Sequence, residues 1–282
     1  MPAWQPILTP LPVIISFVVI GVIFIPLGYA LFVASENVFE VMSDSYENCG
    51  DTCNITFTNL NIQNDKIYIY YRLENFYQNH RRYVKSRNDA QLRGQKVTRS
   101  EMADCAPFIA AGDKDDDLYY PCGLIARSLF NDSFIFTDGN GTLLPVTTDG
   151  VAWPSDIDTK FNNPEASIPG VRVIPNFKDV DFVVWMRTAA LPTFRKLYRI
   201  MKGPYKGDLV VHIKNNFPVT SFEGKKYIVV ATTSWLGGKN PFLGYAYMVV
   251  GAVCLFLAIV FGLKHAFCGR AQGDPSYLGW NK

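Results

Sequence analysis

Two long apolar stretches stand near the ends of the chain, with a polar, alternating region between them. The first, residues 11–33, reads LPVIISFVVIGVIFIPLGYALFV, and no charged residue occurs from Met1 to Ser35. As an α-helix it would span about 35 Å, enough for the ~30 Å hydrocarbon core of a bilayer. The second uncharged run, residues 240–263, has its apolar centre in GYAYMVVGAVCLFLAIVFG. Both predict transmembrane helices. Gly21 and Pro26 predict a kink in the first, which a membrane helix tolerates where neighbours satisfy the freed carbonyl. A cleaved signal peptide would show a basic start, a shorter apolar core and a small-x-small cleavage site, and the first run shows none of these.

The middle reads mainly as strands. Residues 66–73, 171–174, 182–186, 209–213 and 227–233 are rich in β-branched and aromatic side chains. Turn clusters such as Asp138-Gly139-Asn140-Gly141 and Asn162-Asn163-Pro164 punctuate them. Short helical patches are predicted at residues 119–130 and 191–201. The expected fold is therefore two transmembrane α-helices flanking a large, mainly antiparallel β domain. That domain is sandwich-like, lumenal or extracellular, and carries irregular insertions.

Charge sets the orientation. Glu36, Glu40 and Asp44 follow the first helix, whereas Lys264, His265 and Arg270 follow the second. The positive-inside rule then puts both termini in the cytosol. The expected organisation is a cytosolic N-terminus (1–10), a helix (11–33), a lumenal domain (34–240), a helix (241–263) and a cytosolic C-terminus (264–282). Three Asn-x-Ser/Thr acceptors, at Asn54, Asn131 and Asn140, all fall in the lumenal part. So do Cys49, Cys53, Cys105 and Cys122, whereas Cys254 lies within the second helix and Cys268 just past it. Four cysteines allow three connectivities, and the sequence-local set, Cys49–Cys53 with Cys105–Cys122, is favoured. The rival, a zinc site, fits the C-x3-C and C-x16-C spacings poorly, and an oxidising compartment favours disulfides.

Composition and motifs exclude more than they assign. Hydrophobic residues make up 49% and charged residues 18% of the 282, too apolar for disorder. A formal charge of +2 excludes a nucleic-acid coat held by net positive charge. There are three histidines, His80, His212 and His265, with no Gly-x-Ser-x-Gly elbow, His-Glu-x-x-His or phosphate loop. Asp113-Lys114-Asp115-Asp116-Asp117 starts like a calcium loop but has Leu118 and Leu124 where Gly and Glu are required. It reads as a solvated acidic loop. The basic stretch from Arg72 to Arg99, interleaved with Tyr70, Tyr71, Phe76, Tyr77 and Tyr83, reads as an interaction surface or an ordinary strand face. The membrane helices carry almost no polar side chains, so no ion or substrate path is expected through them. Gly244, Gly251, Ala258 and Gly262 are candidate positions for close packing against a partner.

Several blocks resemble the non-catalytic β-subunits of type-IV P-type ATPases, the phospholipid flippases: the cell division control protein 50, or ligand-effect modulator, family. They are AWQPILTP from Ala3, YYRLENFYQNHRRY from Tyr70, CAPF from Cys105, YPCGLIA from Tyr120, WMRTAALPTFRKLY from Trp185 and SWLGGKNPFLG from Ser234. The family usually carries a longer basic segment ahead of the first block, where this sequence has Met1 to Ala3, so no contact of that segment is carried over. A truncated sequence would read the same way. The resemblance implies a β-sandwich covering the pump's exoplasmic loops and two helices docked beside its membrane domain. It implies a heterodimer with the catalytic subunit among membrane lipids, and a role in its folding, exit from the endoplasmic reticulum and transport cycle, with aminophospholipid moved to the cytosolic leaflet. The expected protein is an integral membrane protein of the secretory pathway (endoplasmic reticulum, Golgi, endosome or plasma membrane). It is not an enzyme, has no catalytic, cofactor or metal residues, binds no nucleic acid, and needs no cofactor beyond N-linked glycans. The alternatives are a two-span ligand-gated channel subunit, or a glycosylated receptor or adhesion protein.

Overall fold

The computed structural model describes residues 9–268. Most of the first motif block and Arg270 lie outside the described residues. In chain order the elements are α1 (Pro10–Glu36), β1 (Glu40–Met42), β2 (Thr52–Ile62), β3 (Lys66–Glu74), α2 (Arg81–Lys85), α3 (Asp89–Leu92), β4 (Tyr119–Tyr120), α4 (Leu124–Arg127), β5 (Ser133–Asp138), β6 (Val146–Thr147), α5 (Pro154–Thr159), β7 (Val171–Arg172), α6 (Val180–Met186), β8 (Phe194–Lys202), β9 (Tyr205–Lys214), β10 (Lys225–Ala231) and α7 (Phe242–Phe267). One compact unit comprises the chain up to Phe39 and from Thr233; the other is Glu40–Thr232.

The first unit is a helix pair. Both α1 and α7 are long and apolar enough to cross a membrane, and each overruns the span expected from sequence by a few residues. Pro12 fits the first turn of α1, where its missing N–H has no partner to lose, and the helix continues through Pro26. Ring pairs Phe17–Phe261, Phe24–Tyr247 and Phe32–Tyr245 show that the helices run antiparallel. Between them runs a seam of small residues spaced by seven: Gly21, Gly28 and Ser35 on α1, Gly244, Gly251 and Ala258 on α7, all buried. A Cβ on Gly28 would meet the Gly244 carbonyl oxygen at 2.8 Å, and one on Gly244 would meet the Phe32 backbone nitrogen at 2.8 Å. Only glycine allows the backbones that close.

The second unit is mainly antiparallel. A five-stranded sheet has the order β1-β10-β3-β8-β6, and a three-stranded sheet the order β2-β9-β5. A short parallel pair joins β4 to β7. Period-two alternation sorts the three-stranded sheet into two faces. Phe57, Leu209, Val211, Ile213, Phe134 and Phe136 point inward and are buried. On the other face three cross-strand rows stand in register: Thr52–Lys214–Ser133, Asn54–His212–Ile135 and Thr56–Val210–Thr137. The sheets meet where Tyr198 of β8 packs edge-on against Phe134 at 4.9 Å. An aromatic cluster of Phe76, Phe130, Trp185, Phe194, Phe217 and Phe222 fills the neighbouring core.

Two local expectations fail, for identifiable reasons. The composition of residues 182–186 predicts a strand, yet they form most of α6. The Asp179 carboxylate accepts hydrogen bonds from the amides of Asp181 and Phe182, capping the helix, and Phe182, Val183, Trp185 and Met186 are all buried. Tertiary burial thus overrides β propensity. Residues 191–201, expected to be helical, contain most of β8, whose inward positions include Lys196. A lysine on the inner face hides the alternation. Of residues 171–174 only Val171–Arg172 pair as a strand, and of 119–130 only Leu124–Arg127 form an α-helix.

Candidate interaction surfaces

The four small residues that the sequence marks for partner packing separate in the structure. Gly244, Gly251 and Ala258 are buried on α7. Gly251 lies against Ile25 of α1, where a Cβ would approach to 2.8 Å. They pack within the chain, because Gly21 and Gly28 of α1 supply the matching small positions. A Cβ on Gly262 would meet nothing within 4 Å, so that position stays open. Few polar groups remain unspent on these helices. The Ser16 hydroxyl donates to the Pro12 carbonyl at 2.8 Å, and the Ser35 oxygen accepts from the Asn240 amide at 2.8 Å. An apolar hollow of about 500 Å³ is lined by Tyr29, Val33, Ala34 and Trp235; Trp235 is 79% exposed.

In the second unit Cys49 is bonded to Cys53, and Cys105 to Cys122. Buried Gln91 braces the second bridge: its side-chain oxygen accepts from the Cys122 amide at 2.7 Å and its NH2 donates to the Tyr119 carbonyl at 2.7 Å. The cysteines Cys254 and Cys268 are free. Asn54, Asn131 and Asn140 are all exposed.

The blocks that carry the resemblance are drawn together. The Phe76 amide donates to the Pro192 carbonyl, the Ala189 amide to the side chain of buried Gln78, and the Asn79 side chain to the Ala190 carbonyl. The loop after β3 is thus stitched to the loop after α6, over Trp185.

Four buried charges hold this unit, Lys226, Asp132, Lys196 and Asp156, and the sequence flagged none of them. Lys226 and Asp132 form an ion pair at 2.6 Å, both side chains fully buried. The ammonium also donates to the Asn215 side chain and the Phe217 carbonyl. The carboxylate also accepts from the Tyr46 hydroxyl and the amides of Asn216 and Phe217. Burial pushes Lys226 down while Asp132 pulls it back up. The third, Lys196, donates to the carbonyls of Val184, Trp185 and Arg187 at the C-terminal end of α6, where a cation is favoured. Burial, reinforced by the Arg187 guanidinium, pushes Lys196 down to about 7.

Nearby, Asp156 is 2% exposed and holds both Arg187, at 2.5 Å, and Lys160, at 2.7 Å. The Arg187 hydrogen bond holds its carboxyl below the usual range. Arg187 also stacks over Trp153, 5.3 Å from the ring centre. Two clefts share this pair: one of about 300 Å³ lined by Trp153, Phe194 and Lys196, and one of about 480 Å³ lined by Arg87, Arg93, Lys160 and Phe161. Among the described residues no three His, Cys, Asp or Glu side chains gather as a metal site.

Comparison with known proteins gives one consistent answer. The LEM3 (ligand-effect modulator 3) family / CDC50 family model matches residues 33–271. The Arabidopsis thaliana protein "Putative ALA-interacting subunit 4" is 44% identical across 100% of this chain and 91% of its own length. "Cell cycle control protein 50A" of Bos taurus is 40% identical over 92% of this chain and 84% of its own. "Cell cycle control protein 50B" of Homo sapiens is 37% identical, with 92% and 89% covered.

Proposed function

The chain belongs to the LEM3 (ligand-effect modulator 3) / CDC50 family, and from that premise we propose that it is the accessory, non-catalytic subunit of a P4-type ATPase. The relatives named as ALA-interacting subunits carry this reading, since the ALA proteins are P4-ATPases. The architecture supports it. Two apolar helices suit an integral membrane subunit, and the unit Glu40–Thr232 suits a lumenal domain held by two disulfides. The subunit assists folding of the pump, its exit from the endoplasmic reticulum and its transport cycle, which moves aminophospholipid to the cytosolic leaflet. Both termini are cytosolic, as the basic flank of the second helix suggests. It needs no cofactor, and N-linked glycans are its modification. Gly262, left open on α7, is the remaining small position for contact with the pump.

The test is export. Expressed alone, the chain stays in the endoplasmic reticulum; co-expressed with a P4-ATPase, both leave it. Equal arrival at the cell surface with and without the pump, and no binding to it, contradicts the proposal.

A further inference from the structure

The basic stretch from Arg72 to Arg99 divides in the structure. Arg72 is paired with Glu74, and Arg99 donates to the carbonyls of Gly112 and Lys114. Arg87 and Arg93 instead line the cleft of about 480 Å³, together with Lys160 and Arg187. Those two stand directly after α5 and α6. The same lining holds two carboxylates, Asp89 and Asp156, so the cations exceed them by two charges.

The carboxylates fix the cations and leave their outer donors open. Both Asp156 oxygens are taken, one by Lys160 and one by the Arg187 Nε. Asp89 holds the Arg87 Nε at 3.1 Å. Arg187 is also stacked on Trp153. Among the described residues the terminal nitrogens of Arg87 and Arg187, the whole Arg93 guanidinium and the Thr188 hydroxyl make no hydrogen bond. Planar guanidinium donors suit an oxyanion, and donors already held in place lose less freedom on binding. One wall is apolar, formed by the buried side chains of Leu92, Phe161 and Met186. The volume falls within the range of small-molecule sites, about 300–1,000 Å³.

We propose that this cleft binds the phosphate ester of a small soluble molecule: Arg87, Arg93, Lys160 and Arg187 receive the oxyanion, and the wall of Leu92, Phe161 and Met186 receives the carbon body. A phosphate monoester carries about two negative charges near neutral pH, which matches the excess of two cations, whereas a carboxylate carries one. The apolar wall favours an ester over the bare ion, since inorganic phosphate has nothing to lay against it. Binding is non-covalent, so no bond is made or broken. The cations are partly exposed, Arg187 at 52% and Lys160 at 63% of the side chain, so salt should weaken the affinity.

The inference does not rest on the proposed function. Its test uses the full chain in phosphatidylcholine nanodiscs, titrated calorimetrically with glucose 6-phosphate, inorganic phosphate and glucose. Glucose 6-phosphate should bind, inorganic phosphate more weakly, and glucose not at all. Arg93 is exposed, so Arg93→Ala should fold normally; losing one charge-assisted contact should weaken the ester about tenfold. Arg81→Ala, in the same basic stretch but outside the cleft, should change nothing. Absence of binding by both phosphates would overturn the proposal, as would equal affinity in wild type and Arg93→Ala. Inorganic phosphate binding as tightly as the ester would overturn the assignment to an ester. Loss of ester binding when the discs also contain phosphatidic acid, at matched ionic strength, would assign the cleft to a lipid headgroup instead. Arg93→Glu should abolish ester binding yet still assemble with a P4-ATPase that the wild type binds. Loss of that assembly would make the cleft a protein-docking surface and overturn the proposal, whereas failure of the wild type to bind any P4-ATPase contradicts the proposed function alone.

Discussion

Lys226 shows how this protein tolerates a buried charge. Its ammonium has three donors, and three acceptors meet them: Asp132, Asn215 and Phe217. Asp132 in turn accepts from four groups. The pair ties β10 to the segment before β5 and the loop after β9. A buried pair offers little stability over an apolar replacement, yet breaking it strands the other charge. Lys226→Ala should therefore destabilise the protein by about 3–5 kcal/mol. The double change Lys226→Met with Asp132→Asn should lose much less, as read by thermal unfolding of the purified complex. Equal losses in the two would mean that the pair, not the stranded carboxylate, carries the energy.

Asp156 gives a pH signature at the same scale. Its carboxyl is held below the ordinary value of 3.8, chiefly by the Arg187 hydrogen bond and with help from Lys160. The unfolded chain has the ordinary value, so below it the unfolded state binds more protons than the folded one. The contribution is in full force above 3.8 and is lost as pH falls through the lowered folded value. Asp156→Asn should be less stable than wild type at pH 7, and the gap should close in acid, as measured by unfolding midpoints at a series of pH values. A gap that stays constant as the pH falls well below 3.8 would mean that Asp156 does not titrate in this way.

At the scale of elements the helix pair depends on its glycine seam. A Cβ on Gly28 would press on the backbone of Gly244 and Met248 at 2.8 Å, and backbone cannot rotate away. Gly28→Ala should loosen α1 from α7 and lower the melting temperature of the complex, whereas Gly262→Ala should leave the pair intact. A disulfide cross-link engineered across the seam would report the difference: it should form less readily in the Gly28 variant and normally in the Gly262 variant. The seam was half legible in the sequence. Gly244, Gly251 and Ala258 stood out on the second helix, but Gly21 next to Pro26 read as part of a kink, and Gly28 was not singled out. Both helices were legible because an uncharged run of that length has few other uses in water. The alternation of β3, β9 and β10 was legible too. What stayed hidden was set by contacts distant in sequence. Lys196 faces inward from β8 because carbonyls of α6 receive its ammonium, and α6 survives its β-forming composition because Asp179 caps it and the core surrounds it. The pairing of Lys226 with Asp132, 94 residues apart, leaves no local trace.

For the whole molecule, the account assigns this chain to assembly and the pump to transport. A phospholipid headgroup crossing about 30 Å of hydrocarbon needs polar partners along its way. The described parts of α1 and α7 offer few: Ser16 and Ser35 are bonded within the helix pair, and Tyr245 and Tyr247 pack against Phe32 and Phe24. On the function proposed above, the groove belongs to the partner. The direct measurement is purification through a tag on this chain after co-expression with a P4-ATPase, with subunit stoichiometry and lipid-stimulated ATP hydrolysis read on the product. The account predicts a one-to-one complex whose hydrolysis follows the headgroup preference of the pump. Recovery of a folded, exported homotrimer of this chain, with no P-type ATPase bound, would contradict it.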